Sequence, residues 1–156
     1  CYVMVLRKGF RDPPKNFTYD YAVLEFSDFF PQACDLYPGT DIGALGWWQW
    51  SESVIEDGRP GFVYGYPGGT TNYPQIFGIG CTGSGCFTAS GDEIGYDTID
   101  TSGGQSGAAF YQYNSSGDRY VTGTHVGGKS TVFGDFNRAR RIDGSYAELI
   151  KNWTAQ

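Results

Sequence analysis

The apolar positions of this chain come in short bursts separated by glycine, proline and small polar residues. Tyr2 to Leu6 (YVMVL) is an apolar run of strand length, followed by a turn-rich stretch through Asp12, Pro13 and Pro14. Tyr19 to Phe26 (YDYAVLEF) alternates apolar and polar positions after Asp20 and predicts a second strand. Residues 27–46 carry Pro31, Pro38, Gly39 and Gly43 and read as a loop-like connection between two subdomains. Beyond it, strands are predicted at 46–55 (GWWQWSESVI), 61–66, 75–80, 86–89, 107–113, 119–126 and 131–133, with glycine in nearly every gap. Only the C-terminus has helical periodicity. Tyr146, Leu149, Ile150 and Trp153 fall on one face, and Ser145 followed by Glu148 fits a capping box. The pattern is that of an all-β barrel or sandwich closed by a C-terminal amphipathic helix.

Composition narrows this reading. Glycine (24) and proline (7) make up about a fifth of the 156 residues, against a usual share of about 12%. Aromatic residues reach 17% while charged residues are only 18%. That excludes a helical bundle, which would be rich in Ala, Glu, Lys and Leu, and a disordered chain, which lacks aromatic surface to bury. The net charge of −6 offers no positive footprint for phosphate, so no nucleic-acid partner is expected. The one basic cluster, Arg138, Arg140 and Arg141, reads as a solvated surface or a set of local ion pairs. No apolar run reaches membrane-spanning length, the longest being broken by Glu25, so no membrane partner is expected.

The chain opens at Cys1 with neither an initiator Met nor a signal-peptide pattern, which reads as a processed product. Its four cysteines allow three pairings, and Cys81 and Cys86, enclosing TGSG, could close a small disulfide. One histidine and four scattered cysteines are too few ligands for a zinc site, and no metal or cofactor is expected. Three of the five asparagines, Asn16, Asn114 and Asn152, stand in glycosylation sequons. A secreted eukaryotic protein fits these features best.

Several motifs compete for chemistry. Gly78 to Gly83 matches GxGxxG, but the following SGCFTASGDE is not helical, so a glycine-rich strand turn is the better reading. Trp48 and Trp50 would share one face of a strand and Trp47 the other. They read as packing residues, with a sugar-binding platform as the rival. The acid pairs Glu52/Glu56 and Asp92/Glu93 read as a solvated face. The most specific feature is Thr101-Ser102-Gly103-Gly104-Gln105-Ser106-Gly107, a serine between glycines entering an apolar strand. Small neighbours let backbone N–H groups turn toward a developing oxyanion and let substrate approach closely. Ala108 in place of a final glycine rules out the GxSxG elbow.

Together with Tyr19-Asp20-Tyr21-Ala22 upstream and Gly123-Thr124-His125-Val126-Gly127-Gly128 downstream, this loop resembles the chymotrypsin-like serine proteases, and more closely their glutamyl endopeptidase branch. Gly46-Trp47, Tyr64-Gly65-Tyr66-Pro67-Gly68, Tyr96-Asp97-Thr98 and Arg141-Ile142 match as well, so the resemblance runs from about residue 17 to the end. It implies a double β-barrel with a C-terminal helix: residues 1–30 the last strands of a first barrel, 31–46 the connection, 47–142 a complete second barrel and 143–156 the helix. It implies Ser106 as nucleophile, Asp20 as the carboxylate that orients the catalytic imidazole, and the N–H groups of Gly104 and Ser106 as the oxyanion hole. Thr101 and His125 would line a pocket that prefers Glu, and secondarily Asp, before the scissile bond. Asp100, six residues before Ser106, stands where trypsin-like enzymes carry their pocket acid; turned inward it would select Arg or Lys instead. The neutral Gln105 beside the nucleophile departs from the trypsin-like pattern, where an acid pairs with a newly cut N-terminus.

The triad order of the family places a histidine before Asp20, yet the single histidine, His125, follows Ser106. Three explanations stand: a partner chain carries the base, the recorded sequence lacks an N-terminal part, or the protein is an inactive homologue that binds without cutting. Residues 1–26 alone would leave exposed strand edges, which favours a partner segment. Cys1 could bridge to that segment or to Cys34.

Overall fold

The computed structural model of the chain describes residues 2–6, 22–26, 45–68, 77–128 and 136–154, the first two segments as backbone strands. These two, β1 (Tyr2–Leu6) and β2 (Ala22–Phe26), pair antiparallel from Tyr2↔Phe26 to Leu6↔Ala22. Asp20, Asn16, Cys1, Cys34 and the expected strand at 131–133 lie outside the described residues.

The other strands form one sheet. They are β3 (Gly46–Trp47), β4 (Gly61–Gly65), β5 (Phe77–Cys81), β6 (Thr88–Ser90), β7 (Glu93–Tyr96), β8 (Ala109–Tyr113), β9 (Arg119–Gly127) and β10 (Asn137–Arg141). Their order is β5-β4-β8-β9-β10-β7-β6, antiparallel throughout, with β3 added parallel to β9 at Tyr120 and Val121. Register shifts at Phe110/Tyr111 and Arg138/Ala139 flank β9 on both sides. Such irregularities bend a sheet and raise its twist, which suits a sheet that curls upon itself.

Alternation sorts the residues of β4 and β8 between the two faces. Val63, Phe110 and Gln112 point inward and are fully buried. Phe62, Tyr64, Tyr111 and Tyr113 form a ring cluster on the outside, with Phe62 and Tyr111 stacked at 5.5 Å. The cluster is possible because β5 carries Gly78 and Gly80. A Cβ there would lie 1.9 Å from the Tyr64 ring and 2.0 Å from that of Phe62. The inner core joins Ile55, Val63, Phe87, Ile94, Tyr96, Ile99 and Phe110, and the Cys81–Cys86 disulfide borders it. That disulfide is the small bridge expected from the TGSG spacing.

Some expectations need correction. The run 46–55 is not one strand: pairing ends at Trp47, and a single turn of helix, α1 (Glu52–Ile55), follows. Its acids are structural ties. Glu56 accepts the N–H of Ala89 at 2.7 Å, and Glu52 accepts that of Gly91 at 2.8 Å, pinning α1 to the β6–β7 hairpin. Nor is the Asp92/Glu93 pair a solvated face. Glu93 is buried and paired with Arg138 at 2.9 Å, while Arg140 reaches Asp92 and Asp143. Of the two readings of the arginine cluster, ion pairing holds and solvation does not: Arg140 is 2% exposed. Removing one partner of so buried a pair costs about 3 kcal/mol or more, because the other charge is left uncompensated.

The C-terminal helix is α2 (Gly144–Thr154), whose Tyr146 and Ala147 pack with Ile142, Trp47, Val121, Leu149 and Ile150. Tyr146, Leu149 and Ile150 share the packed face, as the spacing predicts, the Trp153 side chain lying outside the described residues, and the cap is Asp143 rather than Ser145. Asp143 C=O receives the N–H of Ala147, and its carboxylate accepts the N–H of Tyr146, the Ser145 hydroxyl and the Arg140 guanidinium. Burial alone would raise the Asp143 pKa, but these three donors outweigh it and hold the group below its usual 3.8. A carboxylate with a depressed folded pKa adds stability that is complete above its unfolded value and vanishes as pH falls through the folded one. Asp143→Asn is therefore expected to flatten the loss of Tm below about pH 4. Coincident acid profiles for the two proteins would discount the cap.

Candidate active site

The segment 101–107 crosses from the end of β7 toward β8, and its shape rests on two glycines. Gly104 and Gly107 have φ of +99° and +90°, the left-handed region that favours glycine. Gly104 is constrained twice over: a Cβ there would lie 2.3 Å from the Gly68 nitrogen. The Tyr66-Pro67-Gly68 segment presses against the loop, and the Gly68 N–H donates to Gly103 C=O at 2.5 Å. Between the two glycines, Ser106 is exposed while its neighbour Gln105 is 1% exposed. Neither the N–H of Gly104 nor that of Ser106 meets an acceptor among the described residues.

Two backbone bonds fasten this loop to β9. Gly107 N–H donates to His125 C=O at 2.7 Å, and His125 N–H donates to Ala108 C=O at 2.8 Å. The backbone that follows Ser106 is thereby tied to that of His125. The His125 ring turns into the interior, where its Nδ1 lies 2.5 Å from the Tyr96 hydroxyl. Burial lowers the His125 pKa, against a weaker opposing effect of a backbone hydrogen bond at Arg138. Burial likewise pushes the Tyr96 hydroxyl well above its ordinary value. Both groups are therefore neutral at pH 7.

Thr101 is half-buried and donates its hydroxyl to Asn137 Oδ1 at 3.0 Å, while Asn137 Nδ2 donates to Ile99 C=O at 2.9 Å. Asn137 pairs with Tyr96 across β10 and β7, so Thr101, Asn137, Tyr96 and His125 gather at one end of the sheet beside the loop. Asp100 is exposed. Tyr96 and Asn137 were not singled out as site residues from sequence. Tyr96 stood within a family-like segment, but nothing in the sequence flagged its bond to a histidine 29 residues away, and Asn137 carried no signal at all.

The tryptophans depart from the expected arrangement, since the strand ends at Trp47 and Trp48 is 56% exposed. Trp47 packs with α2, while Trp48 and Trp50 both lean on Tyr120 at 6.0 and 6.1 Å. Trp50 lies under the Arg59 guanidinium at 4.4 Å, which covers a ring face that a sugar would need. Trp48 is exposed, lining a groove of about 330 Å³ with Trp47, Gln49 and Lys151. Asn114 is bound within its own turn, its carbonyl accepting from Ser116 and Asp118 N–H, and Asn152 is an exposed residue of α2. Among the described residues no three His, Cys, Asp or Glu side chains group as metal ligands, and no helix is long and apolar enough to cross a membrane.

No family model and no curated protein matches the chain. Among solved structures it is similar to that of a Glu endopeptidase in complex with MPD, at 22% identity and a TM-score of 0.72. The match covers 99% of this chain and 64% of the other, so the chain spans less than two thirds of that structure's length. At this identity the likeness speaks to architecture alone. The curled antiparallel half-barrel closed by a C-terminal helix is the chymotrypsin-like protease fold.

Proposed function

We propose that this chain is the nucleophile-bearing portion of a secreted serine endopeptidase that cleaves after acidic residues, Glu foremost and Asp second. The observation that carries the reading is the loop itself: an exposed Ser106 between two left-handed glycines, with the Gly104 and Ser106 N–H groups unspent among the described residues. The 22%-identical neighbour, a Glu endopeptidase by name, supports the fold on which this loop is carried.

In the proposed reaction Ser106 Oγ attacks the scissile carbonyl carbon as a histidine base takes its proton. The carbonyl oxygen becomes an oxyanion held by the Gly104 and Ser106 N–H groups. Collapse of the adduct expels the amine, which receives that proton, and leaves an acyl group on Ser106. Water then repeats the sequence with the acyl-enzyme and frees the acid. Asp20 orients the base, which comes from a partner chain or a preceding segment. No cofactor or metal takes part. A substrate carboxylate would take the Thr101 hydroxyl from Asn137, and the His125 imidazole, 1% exposed here, would turn toward the pocket to give it a second hydrogen bond. A neutral, desolvated imidazole suits this task, since its hydrogen bond is strengthened where water is excluded.

A fluorophosphonate should label Ser106 in the whole purified assembly, and a peptide-library digest should show Glu before most cuts. An unlabelled Ser106 would leave a silent homologue that binds without cutting. Arg or Lys before every cut would overturn the Thr101–His125 pocket in favour of Asp100.

A further inference from the structure

Gln105 stands beside the nucleophile, yet its side chain points away from solvent and is 1% exposed. Its Oε1 accepts the N–H of Ser102 at 2.7 Å, and its own N–H donates to Ser102 C=O at 3.2 Å. One residue thus stitches the turn 102–105 through both its side chain and its backbone. Its carbonyl also accepts the Ala108 N–H at 3.0 Å, carrying the constraint into β8. The aliphatic stem packs against β4: a Cβ at Gly65 would lie 3.4 Å from Gln105 Cβ and Cγ.

From outside the turn, the enclosed residues are held by the Tyr66–Gly68 segment. Gly103 and Gly104 carry no side chains, and a Cβ at Gly103 would meet nothing within 4 Å. Glycine loses the most backbone freedom on ordering, so an untied Gly103–Gly104 peptide would sample several orientations, only some of which present the Gly104 N–H to a ligand oxygen. Among the described residues three bonds restrain it: Gly68 N–H to Gly103 C=O, Gln105 N–H to Ser102 C=O, and Ser102 N–H to Gln105 Oε1.

We infer that Gln105 is the positioning residue of the nucleophile loop, setting the orientation of the Gly104 N–H through its bond to Ser102. This deepens the hydrolase reading, on which its kinetic consequence rests. Displacing a transition-state donor by about 1 Å can cost about 100-fold in rate.

The test uses the whole assembly with two variants. Gln105→Met keeps length and volume but removes the acceptor, and Gln105→Glu keeps an acceptor at the same reach. For Gln105→Met, kcat on a Glu-containing peptide should fall about 100-fold with KM within about twofold. Gln105→Glu should recover at least about tenfold of that loss. Amide exchange gives a second measure independent of turnover. The Ser102 N–H should be protected in the wild type and in Gln105→Glu, and exchange at least about tenfold faster in Gln105→Met. Should Gln105→Met fail to fold, wild-type protection and its retention in Gln105→Glu decide the matter. An unprotected Ser102 N–H in the wild type, or a Gln105→Met enzyme with wild-type kcat, would overturn the assignment. A wild type that exchanges as expected but never turns over would sink the hydrolase reading alone.

Discussion

Ser106→Ala, made in the whole assembly, will lower kcat on a Glu-containing peptide by about 10⁶-fold, the size of loss seen when a serine nucleophile is deleted. The side chain is exposed, and its hydroxyl has no hydrogen-bond partner among the described residues. Its removal should therefore leave stability within about 0.5 kcal/mol. KM should also hold, because the loop and pocket are built from other atoms: the Gly104 and Gly107 backbone, Gln105, Thr101 and His125. Steady-state kinetics beside thermal unfolding will separate the effects. A variant that keeps even one per cent of its activity would put the nucleophile elsewhere.

The second large effect is on stability. Phe110→Ala should cost about 3–5 kcal/mol, the usual range for emptying a buried phenylalanine site. Phe110 is fully buried, stacks on Tyr96 at 5.4 Å with the rings 8° from parallel, and meets Phe87 edge-on at 5.2 Å. Neighbouring strands fix the backbone on both sides, so the void cannot collapse. In a chain of this size the cost corresponds to a drop in Tm of about 10 °C. The void opens directly against Tyr96, the ring whose hydroxyl meets His125. Activity on Glu substrates should thus suffer at temperatures where the variant is still folded. A Tm shift of only a few degrees would mean that the site repacks.

The fold was largely legible because glycine punctuation and alternating apolar positions mark strands without reference to partners. β4, β5, β8 and β9 lie close to where the pattern puts them. What escaped was hidden by charge. β10, NRARR, has one apolar residue in five, yet Arg138, Ala139 and Arg140 are all buried. Its neighbour β7 (EIGY) is buried along its whole length, Glu93 included. Each strand supplies the counter-charge that makes the other's burial affordable, and a reading that scores residues singly cannot see such a pair. The turn α1 escaped for a related reason: Glu52 and Glu56 act on backbone groups more than thirty residues away. At the site, the small residues around Ser106 are readable locally, whereas Gly104, Thr101 and His125 take their roles only from the resemblance. The bonds of Tyr96, Asn137 and Gln105 depend on how β7, β9, β10 and the loop meet, which only the assembled sheet defines.

The glycines beneath the outer rings carry a consequence for how such chains can diverge. Gly78 and Tyr64 occupy a single volume, as do Gly80 and Phe62. A side chain can appear at 78 only if 64 becomes small, and at 80 only if 62 does. Related sequences should therefore exchange bulk across β4 and β5 in matched pairs, glycine facing aromatic in either direction. In such a lineage, neither position can drift alone.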